Sequence, residues 1–210
     1  FGCQHPEDFP ALPLFESARR CDVARPRFVS LGCGNCDAEV RIAQDLVRRG
    51  LTDFTFECLD INPAMLERGA ALAREAGLEG RVVPLPGDFN HWVPEGHYDG
   101  IMANQSLHHV LELETLFDAV RGALKPEAGF VVSDMIGRNG HQRWPEAAAI
   151  VREFWQELPP GYRYNLQLQR QEDEFIDWDC SNEGFEGVRA QDILPLLLER
   201  FGFEVFIGFG

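Results

Sequence analysis

From residue 27 to 136, short β-rich runs alternate with stretches in which apolar positions recur at helical spacing. That alternation is the pattern of βαβ units around a parallel sheet. RFVSL (Arg27–Leu31) predicts a first strand, ended by the turn GCGNC. Val40, Ala43, Leu46 and Val47 share one face of a helix predicted over 37–49, which Gly50 stops. FTFECLD (54–60) predicts a second strand, Pro63 suits the first turn of a helix running through Ala76, and Gly77 closes it. RVVPL (81–85), YDGIMAN (98–104) and GFVVSDMI (129–136) predict strands three to five. Between the last two, Leu113, Leu116, Phe117, Val120 and Leu124 form an apolar stripe at helical spacing, stopped by Lys125 and Pro126.

The alternation then fails over 137–188, a stretch that carries Trp144, Phe154, Trp155, Tyr162, Tyr164, Phe175, Trp178 and Phe185, with a helical piece near 145–158. It resumes with a helix predicted over 190–201 and a sixth strand over 203–209. An aromatic-rich insertion after a late sheet strand reads as a cap over the crevice at the strands' carboxyl ends; a peripheral packing module is the competing reading. The expected organisation is an N-terminal segment 1–26, a cofactor-binding core 27–136, an insertion 137–189 and a continued core 190–210.

A length of 210 residues suits one α/β domain. The formal net charge of −15 argues against nucleic acid and against an anionic membrane surface as partners, since both need a concentrated basic face. No apolar stretch approaches the ~20 residues of a membrane span. Six cysteines show no disulfide-scaffold density, which favours reduced thiols and a cytoplasmic setting. There is no initiator Met and no signal pattern over 1–15, so the sequence reads as a portion of a longer chain.

The turn LGCGN (31–35) joins a strand to a helix, where glycines let backbone approach a ligand and the helix start offers free N–H groups. Asp60 ends the second strand, placed to accept from ribose hydroxyls. GDF (87–89) follows the third strand, with a carboxylate for an exocyclic amine and a ring for the adenine face. A nicotinamide site is disfavoured, because Asp37 stands where the third glycine of G-x-G-x-x-G belongs.

In the ordered segments SLGCGNCDAEVRIA, ECLDINPAMLERG, PLPGDFN, YDGIMANQSLHHV and LFDAVRGALKPEAGFVVSD, the sequence resembles the class I S-adenosylmethionine-dependent methyltransferases. The resemblance implies a Rossmann-like doubly wound sheet and S-adenosylmethionine as cofactor, with S-adenosylhomocysteine as product. It places Gly32, Cys33 and Gly34 under the methionine part, Asp60 on the ribose, Ile61 beside the adenine, Asp88 and Phe89 at the adenine amine and ring, and Asn104 and Gln105 on the methionine side. Two positions depart from the family pattern: Ser30 stands for the usual acid and Cys36 for the third glycine. Asp37 is a candidate replacement for the acid, and a left-handed backbone at Cys36 would be strained.

Methyl transfer needs a base only where the acceptor must lose a proton. His109 and His141 are the candidates, ahead of His108, and each has the competing reading of a structural or solvated histidine. Arg138, Arg143 and Trp144 are candidates for binding the acceptor; Arg143 could equally pair with a carboxylate of this acidic chain. Asp134 with the acidic run 177–192 could hold Mg²⁺, against the simpler reading of a solvated loop. Cys33 and Cys36 form a CxxC without a second pair to complete a zinc site. The expected function is methyl transfer to a small polar molecule, most plausibly at oxygen as in a sugar, with no resident metal. The alternative is a non-catalytic cofactor-binding or interaction domain of a larger protein.

Overall fold

The computed structural model describes residues 9–166, 168–182 and 184–208. Five strands, β1 (Arg27–Leu31), β2 (Thr55–Asp60), β3 (Val82–Pro86), β4 (Tyr98–Asn104) and β5 (Leu124–Ser133), form a parallel sheet in the order β3-β2-β1-β4-β5. β1 and β4 lie beside each other although two other strands separate them in sequence, so the chain reverses direction across the sheet between them. That reversal opens the crevice of a doubly wound fold.

Period-two alternation in the strands sorts side chains to two faces. On one face Phe28, Phe56, Cys58 and Met102 pack with α1 (Ala11–Cys21) and α2 (Asp37–Arg48). On the other, Val29, Leu31, Ile101 and Ala103 meet α4 (Leu113–Ala123) and α6 (Ala190–Arg200). α3 (Pro63–Glu75) begins as its sequence indicates, with Pro63 in the first turn and Asn62 accepting from the backbone N–H of Ala64 and Met65.

Three expectations change. The N-terminal segment holds a helix, α1, whose Leu14, Ser17 and Ala18 are buried against the sheet. β5 starts at Leu124 and ends at Ser133, with a register break against β4 between Tyr98 and Gly100. The break follows from a buried carboxylate: Asp99, fully buried, accepts from Lys125 Nζ at 2.7 and 2.8 Å and from the Arg27 N–H at 2.9 Å. Lys125 is thereby drawn onto β4 and the residues after it leave the ladder until Gly129. The sixth strand is not formed over 203–208, and Phe209 lies outside the described residues. Phe201 packs on Phe117 and Phe130, but the segment beyond it enters no ladder and remains largely exposed. A lone extended segment without a hydrogen-bonded neighbour is not a strand.

Residues 137–189 contain α5 (Pro145–Glu157) and a small hairpin, β6 (Tyr164–Asn165) with β7 (Arg170–Gln171). Only Ala148 of α5 is buried. No helix among the described residues is long and apolar enough to cross a membrane.

Replacing Asp99 with alanine leaves the Lys125 ammonium and the Arg27 N–H without their acceptor. The expected loss in urea-unfolding free energy is about 2–3 kcal/mol; a loss below about 0.5 kcal/mol would show that the buried carboxylate does not organise β4 and β5.

Candidate active site

Because all five strands run the same way, the turns after β1 to β4 share one edge of the sheet. The first turn is fixed from below by β2: Gly32 and Cys33 donate to the Leu59 carbonyl at 2.9 and 3.1 Å. It is fixed from the side by Asp60, whose two carboxylate oxygens accept from Gly34 N–H and Asn62 N–H, each at 2.8 Å. One side chain thus ties the turn after β1 to the turn after β2. Gly32 has φ +77° and a side chain there would meet Ser106 Cβ at 2.6 Å, so only glycine fits. Ser106 in turn donates its hydroxyl hydrogen to the Leu31 carbonyl at 2.7 Å.

The two departures from the family motif have distinct consequences. Cys36 has φ +59°, the strained backbone expected of a non-glycine residue at this place. Gly69 on α3 faces it, and a side chain there would lie 2.6 Å from Cys36 Sγ. Ser30 points to the α2 face and donates to Glu39 Oε1 at 2.6 Å. Asp37 is exposed, so the carboxylate beneath this turn belongs to Glu39, which the sequence reading missed. Its signal was position: Glu39 shares the buried face of α2 with Ile42, Ala43 and Leu46. Burial pushes the Glu39 carboxyl up to about 7 against the Ser30 hydrogen bond, and its Oε2 is buried without a hydrogen-bond partner.

Of the other expected cofactor residues, Ile61 is 68% exposed beside Asp60, an apolar side chain held out to solvent at the sheet edge. Asp88 caps the short turn Phe89–His91 by accepting from Asn90 N–H, and the Phe89 ring lies against Gly32. Asn104 ends β4, and Gln105 follows with φ +53°, its N–H donating to the Ser133 carbonyl at 2.7 Å. Gly32, Cys33, Gly34, Asp60, Ile61, Asp88, Phe89, Asn104 and Gln105 therefore all occupy the turns at the same edge.

The histidines gather at the ends of β4 and β5. His108 is buried, with Nδ1 2.6 Å from Asp134 Oδ1, while Asp134 Oδ2 accepts from the N–H of Ser106 and Leu107. Burial opposes charge on this imidazole, but Asp134 and, beyond it, Glu186 outweigh burial and raise its pKa. His109 sets Nδ1 3.0 Å from the Phe185 carbonyl, and His141 sets Nε2 2.9 Å from Glu186 Oε1. The ends of the insertion thus reach the turn after β4.

The remaining acceptor candidates lie within 137–189. Arg143 pairs with Asp177 and lies over the Phe175 ring at 4.8 Å, the carboxylate-pairing alternative. Arg138 donates to the Arg143 carbonyl, and Trp144 is 56% exposed at the start of α5. The carboxylates considered for Mg²⁺ are dispersed: Asp177 holds Arg143, Asp179 holds Ser181, Asp192 holds Arg189 and Asp134 holds His108. Cys33 and Cys36 bring their sulfurs to 3.6 Å.

The buried Glu39 makes stability depend on pH. Its pKa near 4.3 in an unfolded chain rises to about 7 on folding, so the folded state holds the proton more tightly. Its contribution is complete below about pH 4.3 and falls by up to about 1.4 kcal/mol per unit until pH passes about 7. Urea unfolding of the wild type and Glu39→Gln across that range should show the slope difference; parallel curves would mean that Glu39 is already ionised in the fold.

Residues 28–127 match the family model described as a methyltransferase domain. No curated protein matches the chain. Among solved structures, YjhP of E. coli is 16% identical, with 71% of this chain and 56% of that one covered, at a TM-score of 0.51. The O-methyltransferase from a trans-AT PKS multienzyme of Brevibacillus brevis, solved with S-adenosyl-L-homocysteine, is 19% identical, covering 60% of this chain and 40% of that one, at 0.49. A SAM-dependent methyltransferase of Geobacter sulfurreducens, also with S-adenosyl-L-homocysteine, is 16% identical, covering 61% and 47%, at 0.46. This chain spans about half the length of these structures, from 40% to 56%. Residues 28–127 are thus similar to a methyltransferase domain, and the sheet order β3-β2-β1-β4-β5, with a Gly-Cys-Gly turn braced by Asp60, gives them the Rossmann-like fold of that family.

Proposed function

We propose that the protein methylates an oxygen of a small polar molecule, with S-adenosylmethionine as donor and S-adenosylhomocysteine as product. The observation that carries the donor in this reading is the braced turn: Asp60 holds Gly34 and Asn62 by one hydrogen bond per oxygen, which leaves lone pairs on both oxygens for ribose hydroxyls. Above Gly34 the space is open, with no atom nearer to a built side chain than Met65 Sδ at 4.0 Å. The donor set therefore fits an adenosyl ligand: backbone at Gly32, Cys33 and Gly34, a carboxylate at Asp60, and apolar cover from Ile61 and Phe89. Asp88 takes the adenine amine, and Asn104 and Gln105 line the methionine side.

Bound S-adenosylmethionine supplies a methyl group already activated by its positive sulfur, so the protein's work is alignment and exclusion of water. An acceptor hydroxyl must also lose its proton. His109 serves as the base, because Nδ1–H donation to the Phe185 carbonyl leaves the Nε2 lone pair free. His141 is tied to Glu186 and is the weaker base candidate. Trp144 offers an exposed face for stacking on a sugar-like acceptor, with Arg138 beside it, and Arg143 supports Arg138 from within the insertion. The insertion caps the acceptor side in this reading.

Calorimetric titration with S-adenosylmethionine tests the cofactor site. Asp60→Ala is expected to weaken binding by about 1.5–3 kcal/mol, and unchanged affinity would overturn the assignment. A folded wild type that binds nothing at millimolar ligand would favour the interaction-domain alternative. His109→Gln is expected to lower kcat on the order of 100-fold or more with cofactor affinity retained; an unchanged kcat would remove His109 from the base role.

A further inference from the structure

We infer that His108, His141 and Glu186 form a binding site for a divalent, zinc-class metal ion at the carboxyl edge of β4 and β5. One donor atom from each of the three residues lies within 4.8 Å of the other two. Glu186 Oε1 stands 3.4 Å from His108 Nε2 and 2.9 Å from His141 Nε2. Ligand atoms at about 2.0–2.1 Å from a tetrahedral zinc ion stand roughly 3.3–3.4 Å from one another. The Glu186–His108 edge already has that length, the Glu186–His141 edge is somewhat shorter, and the His108–His141 edge lies within 4.8 Å.

The surroundings of the three ligands point the same way. His108 directs Nδ1 to Asp134 at 2.6 Å, and Asp134 is itself held by two backbone N–H groups. A carboxylate behind the imidazole fixes the tautomer and the ring plane, as in carboxylate–histidine–metal arrangements. With Nδ1 donating to Asp134, the Nε2 lone pair of the neutral ring faces the Glu186 oxygen, a pair of acceptors that a metal ion can bridge in place of a proton. The backbone is set to hold that arrangement. Gly140 and His141 both have left-handed φ, +66° and +54°, and the strain at the non-glycine His141 aims its ring at Glu186. Gly140 N–H donates to the Gly187 carbonyl at 2.8 Å, and Val188 N–H donates to the His108 carbonyl at 3.1 Å, so the segments carrying the three ligands are pinned to one another.

Two imidazoles with one carboxylate suit a borderline d-block ion and leave a coordination position open; Mg²⁺ prefers an all-oxygen shell. His109 lies beside the site, its ring 4.1 Å from that of His108, but its Nδ1 is spent on the Phe185 carbonyl. The binding of the ion is independent of the methyl-transfer reading. Its use rests on that reading: an acceptor hydroxyl in the open position loses its proton to His109 more readily.

The test is titration of the full chain with Zn²⁺ and, for spectroscopy, Co²⁺. The expected result is one ion per chain, a Co²⁺ spectrum of low coordination number with nitrogen and oxygen donors, and no displacement by millimolar Mg²⁺. Asp134→Asn should weaken binding roughly 10- to 100-fold, and Glu186→Gln and His141→Gln at least as much, with circular dichroism and S-adenosylmethionine affinity unchanged. Glu186 and His141 are the decisive pair, because neither is buried and both variants should fold. No saturable binding up to about 0.1 mM ion would overturn the inference. So would full affinity in both variants, or a thiolate-to-cobalt band that puts the ion on Cys33, Cys36 and Cys58. A wild-type chain that binds S-adenosylmethionine but no metal ion defeats this site alone; one that binds the ion but no S-adenosylmethionine defeats the cofactor reading alone.

Discussion

The Asp60 carboxylate governs the working edge of this fold. A parallel sheet delivers its turns to one side, but the turns themselves are irregular backbone with few internal bonds. Asp60 sits at the one place where the turns after β1 and β2 come within reach of a single side chain, and it accepts one N–H from each. The bonds to a charged acceptor are the stronger kind, about 1.5–3 kcal/mol each. The open glycine turn can thus be rigid without being filled by side chains, and a ligand finds it already arranged. Gly32, Phe89 and Ser106 stack beneath that arrangement and carry it to the turn after β4.

Three buried acids show how the same group serves different ends in a chain of net charge −15. Asp99 pairs with Lys125 and accepts from a backbone N–H, and its place in the sheet decides where β5 begins. Glu39 answers burial by holding its proton up to about pH 7. Asp134 orients an imidazole and caps the turn that carries it. Charge pairing, protonation and hydrogen bonding are three ways a carboxyl can leave water, and all three appear in this fold.

Much of this was legible in the sequence, for a physical reason. Strands buried on both faces read as apolar runs, and β1 and β4 have the predicted bounds to the residue because glycine and polar turns end them sharply. The turns that line the edge were legible because glycine, Asp60 and Asp88 have few other reasons to stand there. Less legible was whatever depends on contacts distant in sequence. α1 carries Pro13 and two arginines at its end, and only its docking on β4 and β5 explains it. Glu39 looked like one more acid of an acidic chain until Ser30 was found 2.6 Å away. Glu186 lies in a run of carboxylates, and nothing local distinguishes it from its neighbours. The segment after Phe201 has a strand's composition, but composition cannot supply the neighbour that a strand requires.

The close approach of Gly69 to Cys36 bears on how this turn can vary. The space at the start of α2 is shared between one residue with a side chain and one without. A larger side chain at position 36 would press on α3, and any side chain at 69 would press back on the turn. Glycine at 36 would free part of the room at 69, although the Asn35 carbonyl oxygen would still stand 3.1 Å from a side chain there.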